Sequence, residues 1–241
     1  MILLDDVRFH YGDMAMRFDL AVSKGEMAVV FGPSGAGKST LLNLIAGFEQ
    51  PAGGRIALDG RDAADMRPAQ RPVTSLFQDH NLFAHLSAAK NVGLGIHPGL
   101  KLTADDRQRV AEALASVGLE DYGNRMPGTL SGGERQRIAL ARSLVSDRPI
   151  LLLDEPFAAL GPAQRHDLAD LVHRLHTERQ LTVLMVSHMP DEAAHLPIRG
   201  LFVADGEIRA DRSIGELLAD DAPKAVREYL GPGLSGTERH R

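Results

Sequence analysis

A lysine and a serine at the end of a glycine-rich turn can hold a phosphate. In GPSGAGKST, residues 32–40, the residues Gly32, Gly37, Lys38 and Ser39 fall at the spacing G-x-x-x-x-G-K-[ST]. Glycines let successive amides curl inward toward phosphate oxygens, and the following helix adds its positive N-terminal end. Lys38 would reach the β- and γ-phosphates, and the Ser39 hydroxyl would ligate Mg2+. A plain turn between strand and helix would leave the Lys-Ser pair unexplained. A second candidate closes the run ILLLDE, residues 150–155. Neighbouring side chains of a strand point apart, so Asp154 would hold the metal through water, while Glu155 would polarise the water that attacks the γ-phosphate. Acids at a strand end are often only solvated, but four apolar residues directly before these two weigh against that.

These residues need strands and helices to position them. MetAlaValValPhe, residues 27–31, is an apolar run of strand length that reads as a buried central strand leading into Gly32. Short strands are expected at Leu3 to Phe9 and Met16 to Val22, with Tyr11-Gly12-Asp13 turning between them. A helix is expected from Leu41 to Gly47, then strands at Arg55 to Leu58 and Val73 to Phe77. From Ser87 to Leu144 the pattern is helical. Thr103 to Asp106 forms a capping box, and Val110, Leu114 and Val117 share one helical face. Strand signals return at Ile150 to Asp154, Thr182 to Ser187 and Leu201 to Ala204. The expectation is an α/β fold: a P-loop NTPase core with a mainly parallel sheet, an N-terminal antiparallel β region and a helical subdomain. Residues 1–230 would form a single domain, with 1–86 and 145–230 as the nucleotide-binding core and 87–144 as the helical insertion. Residues 231–241 read as a flexible tail.

Composition narrows the function. The 241 residues can bury a sizeable core without a staple, and the absence of cysteine excludes thiolate metal sites and disulfides. A net charge of −5 without a long basic block argues against nucleic acid. The N-terminus has neither the basic region nor the apolar stretch of a signal peptide, and no window approaches the roughly 20 apolar residues of a membrane span. The chain is expected to be soluble, with any membrane role exercised through a partner.

Between the two phosphate-associated motifs lies LeuSerGlyGlyGluArgGlnArg, residues 130–137. With the three motifs in this order, the chain resembles the ATP-binding cassette ATPases over nearly its whole length. The resemblance implies that two cassettes pack head to tail around two ATP molecules. Pro33, Ser34, Gly35, Ala36 and Thr40 would then join the motif residues in holding ATP, and Tyr11 would stack on adenine, although a turn tyrosine also serves simple packing. Ser131, Gly132, Gly133 and Glu134 would face the γ-phosphate held by the other copy, where a serine and glycine amides at a helix start offer donors to an anion. Gln78 fits the family's glutamine that senses Mg2+ and the attacking water and touches the membrane partner, and His188 fits its switch histidine. The chain departs from the family at Ala158-Ala159-Leu160-Gly161, where Ser-Ala-Leu-Asp is usual and the Asp helps to organise the dimer.

Residues 16–20, 41–48, 71–102 and 151–160 are similar in wording to the ATPase subunits of bacterial thiamine importers. About fifty residues follow His188, fewer than the long regulatory domain of related sugar and metal importers needs. That resemblance implies transmembrane permease subunits and a periplasmic thiamine-binding protein as partners, with the cassettes at the cytoplasmic face of the inner membrane. The segment from Gln78 to Phe83 would help to form the groove for the permease's coupling helix; Phe77, Leu82 and Phe83 either line it or serve the core. Import of spermidine, iron or sulfate stays open as an alternative. A chromosome-maintenance or DNA-repair ATPase would need long coiled-coil insertions, and residues 41–129 show no sustained heptads. Translation-factor cassettes come in tandem, and here there is one.

Overall fold

The computed structural model describes residues 1–77, 82–158 and 160–231. Strands β1 (Ile2–Tyr11) and β2 (Met14–Val22) pair antiparallel. β4 (Gly53–Leu58) and the two-residue β5 (Arg61–Asp62) extend this antiparallel region. The apolar runs β3 (Met27–Phe31), β6 (Val73–Leu76), β7 (Ile150–Asp154), β8 (Thr182–Val186) and β9 (Arg199–Ala204) pair parallel to one another. β10 (Glu207–Ser213) folds back antiparallel onto β9. The described strands form one sheet in the order β5-β4-β1-β2-β10-β9-β3-β8-β7-β6. Its antiparallel and parallel parts meet narrowly, through the parallel pair Glu207–Arg17 and the Arg17 amide donating to Gly206 O at 2.9 Å.

Both faces of the parallel part are covered, as its unbroken apolar strands require. In β3, Met27, Val29 and Phe31 enter one apolar cluster while Ala28 and Val30 enter another. The first cluster lies under α2 (Ala88–Gly93), α3 (Ala104–Ser116), α4 (Gly132–Val145) and α5 (Pro162–Arg179). The second lies under α1 (Lys38–Ala46) and continues into β1, β2 and β4. The capping box expected at Thr103 is present, with Asp106 N donating to Thr103 Oγ1 at 3.1 Å and Thr103 N to Asp106 Oδ2 at 3.0 Å. Val110, Leu114 and Val117 are buried together, as their spacing predicts.

Several boundaries move for identifiable reasons. Helix α1 starts at Lys38 rather than Leu41, because Gly37 of the phosphate loop is its N-cap. β6 ends at Leu76, before Phe77. β10 is a polar, half-exposed strand held by backbone pairing to β9, so it carries little hydrophobic signal. The short helices α6 (Ile214–Leu217) and α7 (Lys224–Leu230) follow it. Of the expected flexible tail, 231–241, Gly231 is the C-cap of α7 and the rest lies outside the described residues. Among the described residues no helix is long and apolar enough to cross a membrane.

Candidate functional site

Buried β3 delivers the chain into the phosphate loop, and the loop's shape depends on its glycines. Gly32 has φ +145, and a Cβ there would lie 1.9 Å from Val203 O of β9. Gly35 and Gly37 also have positive φ, at +77 and +101. Gly37 caps α1 without a side chain, and no acid lies in the helix's first turn, so amides at this helix start are left for an anion. Lys38 is 5% exposed and donates from Nζ to Gly32 O at 2.8 Å and Pro33 O at 2.7 Å. Burial draws its pKa down, and the carboxylates of Glu155 and Asp154 draw it back up. Ala36 is buried in the core. Its amide is taken by Pro33 O and its carbonyl by the Gly206 amide, so it braces the loop.

Strand β7 presents Asp154 opposite this loop, where Ser39 Oγ donates to Asp154 Oδ1 at 3.3 Å. Burial is the largest influence on Asp154 and pushes its carboxyl up. Glu155 does not continue the strand. It has φ +49, in the left-handed region, while its amide still bonds Val186 O at 3.0 Å. The two acids therefore diverge by a backbone turn, not by the strand alternation expected from sequence. Neighbouring β8 ends at Val186, Ser187 N donates to Val30 O at 3.0 Å, and His188 follows. His188 Nε2 lies 2.5 Å from Glu155 Oε1. Adjacent parallel strands thus bring together two residues 33 positions apart in the chain.

Lys38, Ser39, Thr40, Ser34, Glu155 and His188 line a cleft of about 290 Å3 together with Gly35 and Gly37. Its other end is Tyr11, 72% exposed, beside Met14 and Met16. The two methionines are site residues that sequence reasoning missed. Their place on β2, just after the Tyr11 turn, was the available signal.

The signature residues stand elsewhere. Ser131 is the N-cap of α4: Glu134 N donates to Ser131 Oγ at 3.2 Å, and Ser131 N donates to Glu134 Oε2 at 2.7 Å. That amide, helped by the Tyr122 hydroxyl, holds the Glu134 carboxyl below its ordinary pKa. Among the described residues, none of Ser131, Gly132, Gly133 and Glu134 lines the cleft of its own chain. Gln78 lies outside the described residues, as does Ala159. Phe77 and Phe83 are 36% and 50% exposed, whereas Leu82 packs against the core. The Phe77 ring stands 5.7 Å from that of Phe48, which follows α1 and is also exposed. Gly161 is the N-cap of α5 and makes no side-chain cap.

Residues 15–158 match the family described as ABC transporter. The chain belongs to that family. It is 53% identical over 230 residues, 95% of each chain, to the thiamine import ATP-binding protein ThiQ of Brucella suis biovar 1. The protein of the same name from Mesorhizobium japonicum is 50% identical over 95% of this chain and 91% of its own. A solved dimeric ATP-binding cassette in a post-hydrolysis state, bound to ADP and Pi, superposes with a TM-score of 0.75 at 31% identity, covering 89% of this chain and 99% of its own. The chain is an ABC-type ATPase with the mixed parallel and antiparallel sheet of that fold.

Proposed function

We propose that this chain is the ATP-hydrolysing subunit of a bacterial thiamine importer. The observation that carries the cargo is the 53% identity, over 95% of both chains, to a protein named for thiamine import. In this reading two copies form a homodimer beneath transmembrane permease subunits at the cytoplasmic face of the inner membrane, and a periplasmic thiamine-binding protein supplies the cargo. Nucleic acid has no part in it. Residues 1–86 and 145–230 form the nucleotide-binding core, and 87–144 the helical subdomain.

The cleft fits a nucleoside triphosphate. Tyr11 offers an aromatic face to adenine, and Met14 and Met16 an apolar wall. The loop from Gly32 to Thr40 wraps the phosphates. Lys38, now bonded to two loop carbonyls, exchanges them for phosphate oxygens. The Ser39 hydroxyl and Asp154 carboxylate are hard oxygen donors 3.3 Å apart, a set suited to Mg2+, with Gln78 as a third candidate. Held by these oxygens, Mg2+ would offset the negative charge of the bound phosphates. Glu155 orients a water and accepts its proton as the water oxygen bonds the γ-phosphorus and the bond to ADP breaks. His188, held against Glu155, orients that carboxylate and meets the γ-phosphate. Ser131, Gly132, Gly133 and Glu134 of the second copy complete the site.

The test is labelled thiamine uptake in cells lacking this chain, rescued by wild type or by Glu155→Gln. Rescue by wild type alone is expected. Unimpaired uptake without the chain would leave the ATPase and send the search to another cargo such as spermidine, iron or sulfate.

A further inference from the structure

Glu155 and His188 belong to different loops, and one arginine joins those loops. Arg165, in the first turns of α5, donates from Nε to Leu160 O at 2.7 Å, at the far end of the loop that Glu155 opens. Its Nη1 donates to Glu192 Oε1 at 2.9 Å. Glu192 Oε2 lies 3.4 Å from Ser187 Oγ, which accepts the Met189 amide at 3.1 Å, so the two residues flanking His188 are tied to it. Arg165 Nη1 also touches the Met189 sulfur. The Tyr229 hydroxyl of α7 also donates to His188 O at 3.4 Å.

The Arg165 and Glu192 side chains are 19% and 6% exposed. A buried ion pair adds little net stability over an apolar pair, because both charges lose their hydration. What it adds is fixed geometry. A guanidinium sends Nε and Nη donors in set directions in one plane, while a lysine is a single charge on a flexible stem. Gly161 gives α5 no side-chain cap, and Arg165 adds a side-chain bond to a loop end that Leu160 also anchors by burial.

We propose that Arg165 is a positioning residue for hydrolysis: gripping Leu160 and Glu192 at once, it holds the Glu155 loop and the His188 turn in the register that brings their side chains together. The proposal rests on the roles given above to Glu155 and His188.

Steady-state hydrolysis and equilibrium ATP binding of the full-length chain test it, with thermal unfolding as a check on folding. The variants are Arg165→Lys, Arg165→Met and the double change Arg165→Met with Glu192→Gln, which leaves no buried charge alone. Glu155→Gln and His188→Ala serve as references. Arg165→Lys is expected to lower kcat about 5- to 20-fold, and Arg165→Met about 10- to 100-fold, with the Kd for ATP changed less than about twofold. The double variant should be no slower than Arg165→Met, because the glutamine keeps an oxygen for the Ser187 hydroxyl and no buried charge is left alone. Folded Arg165→Lys and double variants that keep kcat within about twofold of wild type would overturn the proposal. So would kcat and ATP binding that fall together in step with folded protein. If His188→Ala and Glu155→Gln also turn over normally, the roles of that pair fail and the positioning role fails with them; if only the Arg165 variants do, the pair stands.

Discussion

Two helices of this chain begin in opposite ways. α1 starts at Gly37 with no side-chain cap and no acid in its first turn, whereas α4 starts with a reciprocal Ser131–Glu134 capping box. A helix start leaves up to four amides without intrahelical partners, and something has to bond them. At α4 the chain does this itself, so the signature forms a settled structure before any nucleotide arrives. At α1 the amides face the cleft beside a lysine that bonds loop carbonyls, so that start is completed by an anion. One helix start is a receptor with unmet bonding capacity, and the other is a preformed surface whose serine is already bonded to Glu134.

The two starts should respond differently to substitution. The largest effect is expected at the receptor: Lys38→Ala should weaken ATP binding about 100-fold or more while leaving the fold intact, as an ATP titration and thermal unfolding would register. Retained affinity would mean that the bare amides alone hold the phosphates. Next, Glu155→Gln should bind ATP as wild type does and lose hydrolysis about 100-fold or more, since it removes the base but spares the helix start. Turnover within about threefold of wild type would exclude Glu155 as the base. At the preformed surface the balance reverses. Ser131→Ala should cost about 1 kcal/mol, seen as a fall of about 2–4 °C in Tm without nucleotide, and should weaken ATP-driven dimerisation measured by sedimentation. An unchanged Tm would mean that the capping box does not hold α4 and that the contrast with α1 is one of appearance.

The receptor was legible in the sequence because its chemistry is contiguous: a loop that wraps a phosphate needs glycines and a lysine within a few residues. The Glu155–His188 contact was not legible from spacing, since it depends on β7 and β8 lying side by side, and only the family resemblance pointed to His188. Strand alternation foresaw that Asp154 and Glu155 would part, but the left-handed turn at Glu155 does it. Arg165 and Glu192 are 27 residues apart with unremarkable neighbours, so nothing in the pattern marks them as a pair. The fold was read well where burial is complete, as in β3 and β7, and missed where backbone pairing outweighs side-chain hydrophobicity, as in β10. The single pair that joins β10 to β2 decides that the antiparallel region and the parallel core share one sheet, and it leaves no trace in composition.

A third helix start sharpens the contrast at the smallest scale. α5 begins at Gly161 and Pro162, without a side-chain cap like α1, but nothing suggests that an anion of its own chain completes it: Gly161 does not line the phosphate cleft. Its φ of −72° and ψ of 161° suit any N-cap residue, and a Cβ there meets nothing within 4 Å. Gly161→Asp should therefore fit without strain and accept a bond from a first-turn amide. Because glycine is itself a fair N-cap, the gain should be only a few tenths of a kcal/mol, a rise of about 1 °C in Tm. The same carboxylate stands where the family usually carries one, so ATP-driven dimerisation should strengthen beyond what the stability gain explains. Stabilisation without tighter dimerisation would class α5 with α4, as a start whose cap serves only its own helix. Tighter dimerisation without stabilisation would class it with α1, as a start whose unmet capacity is turned outward.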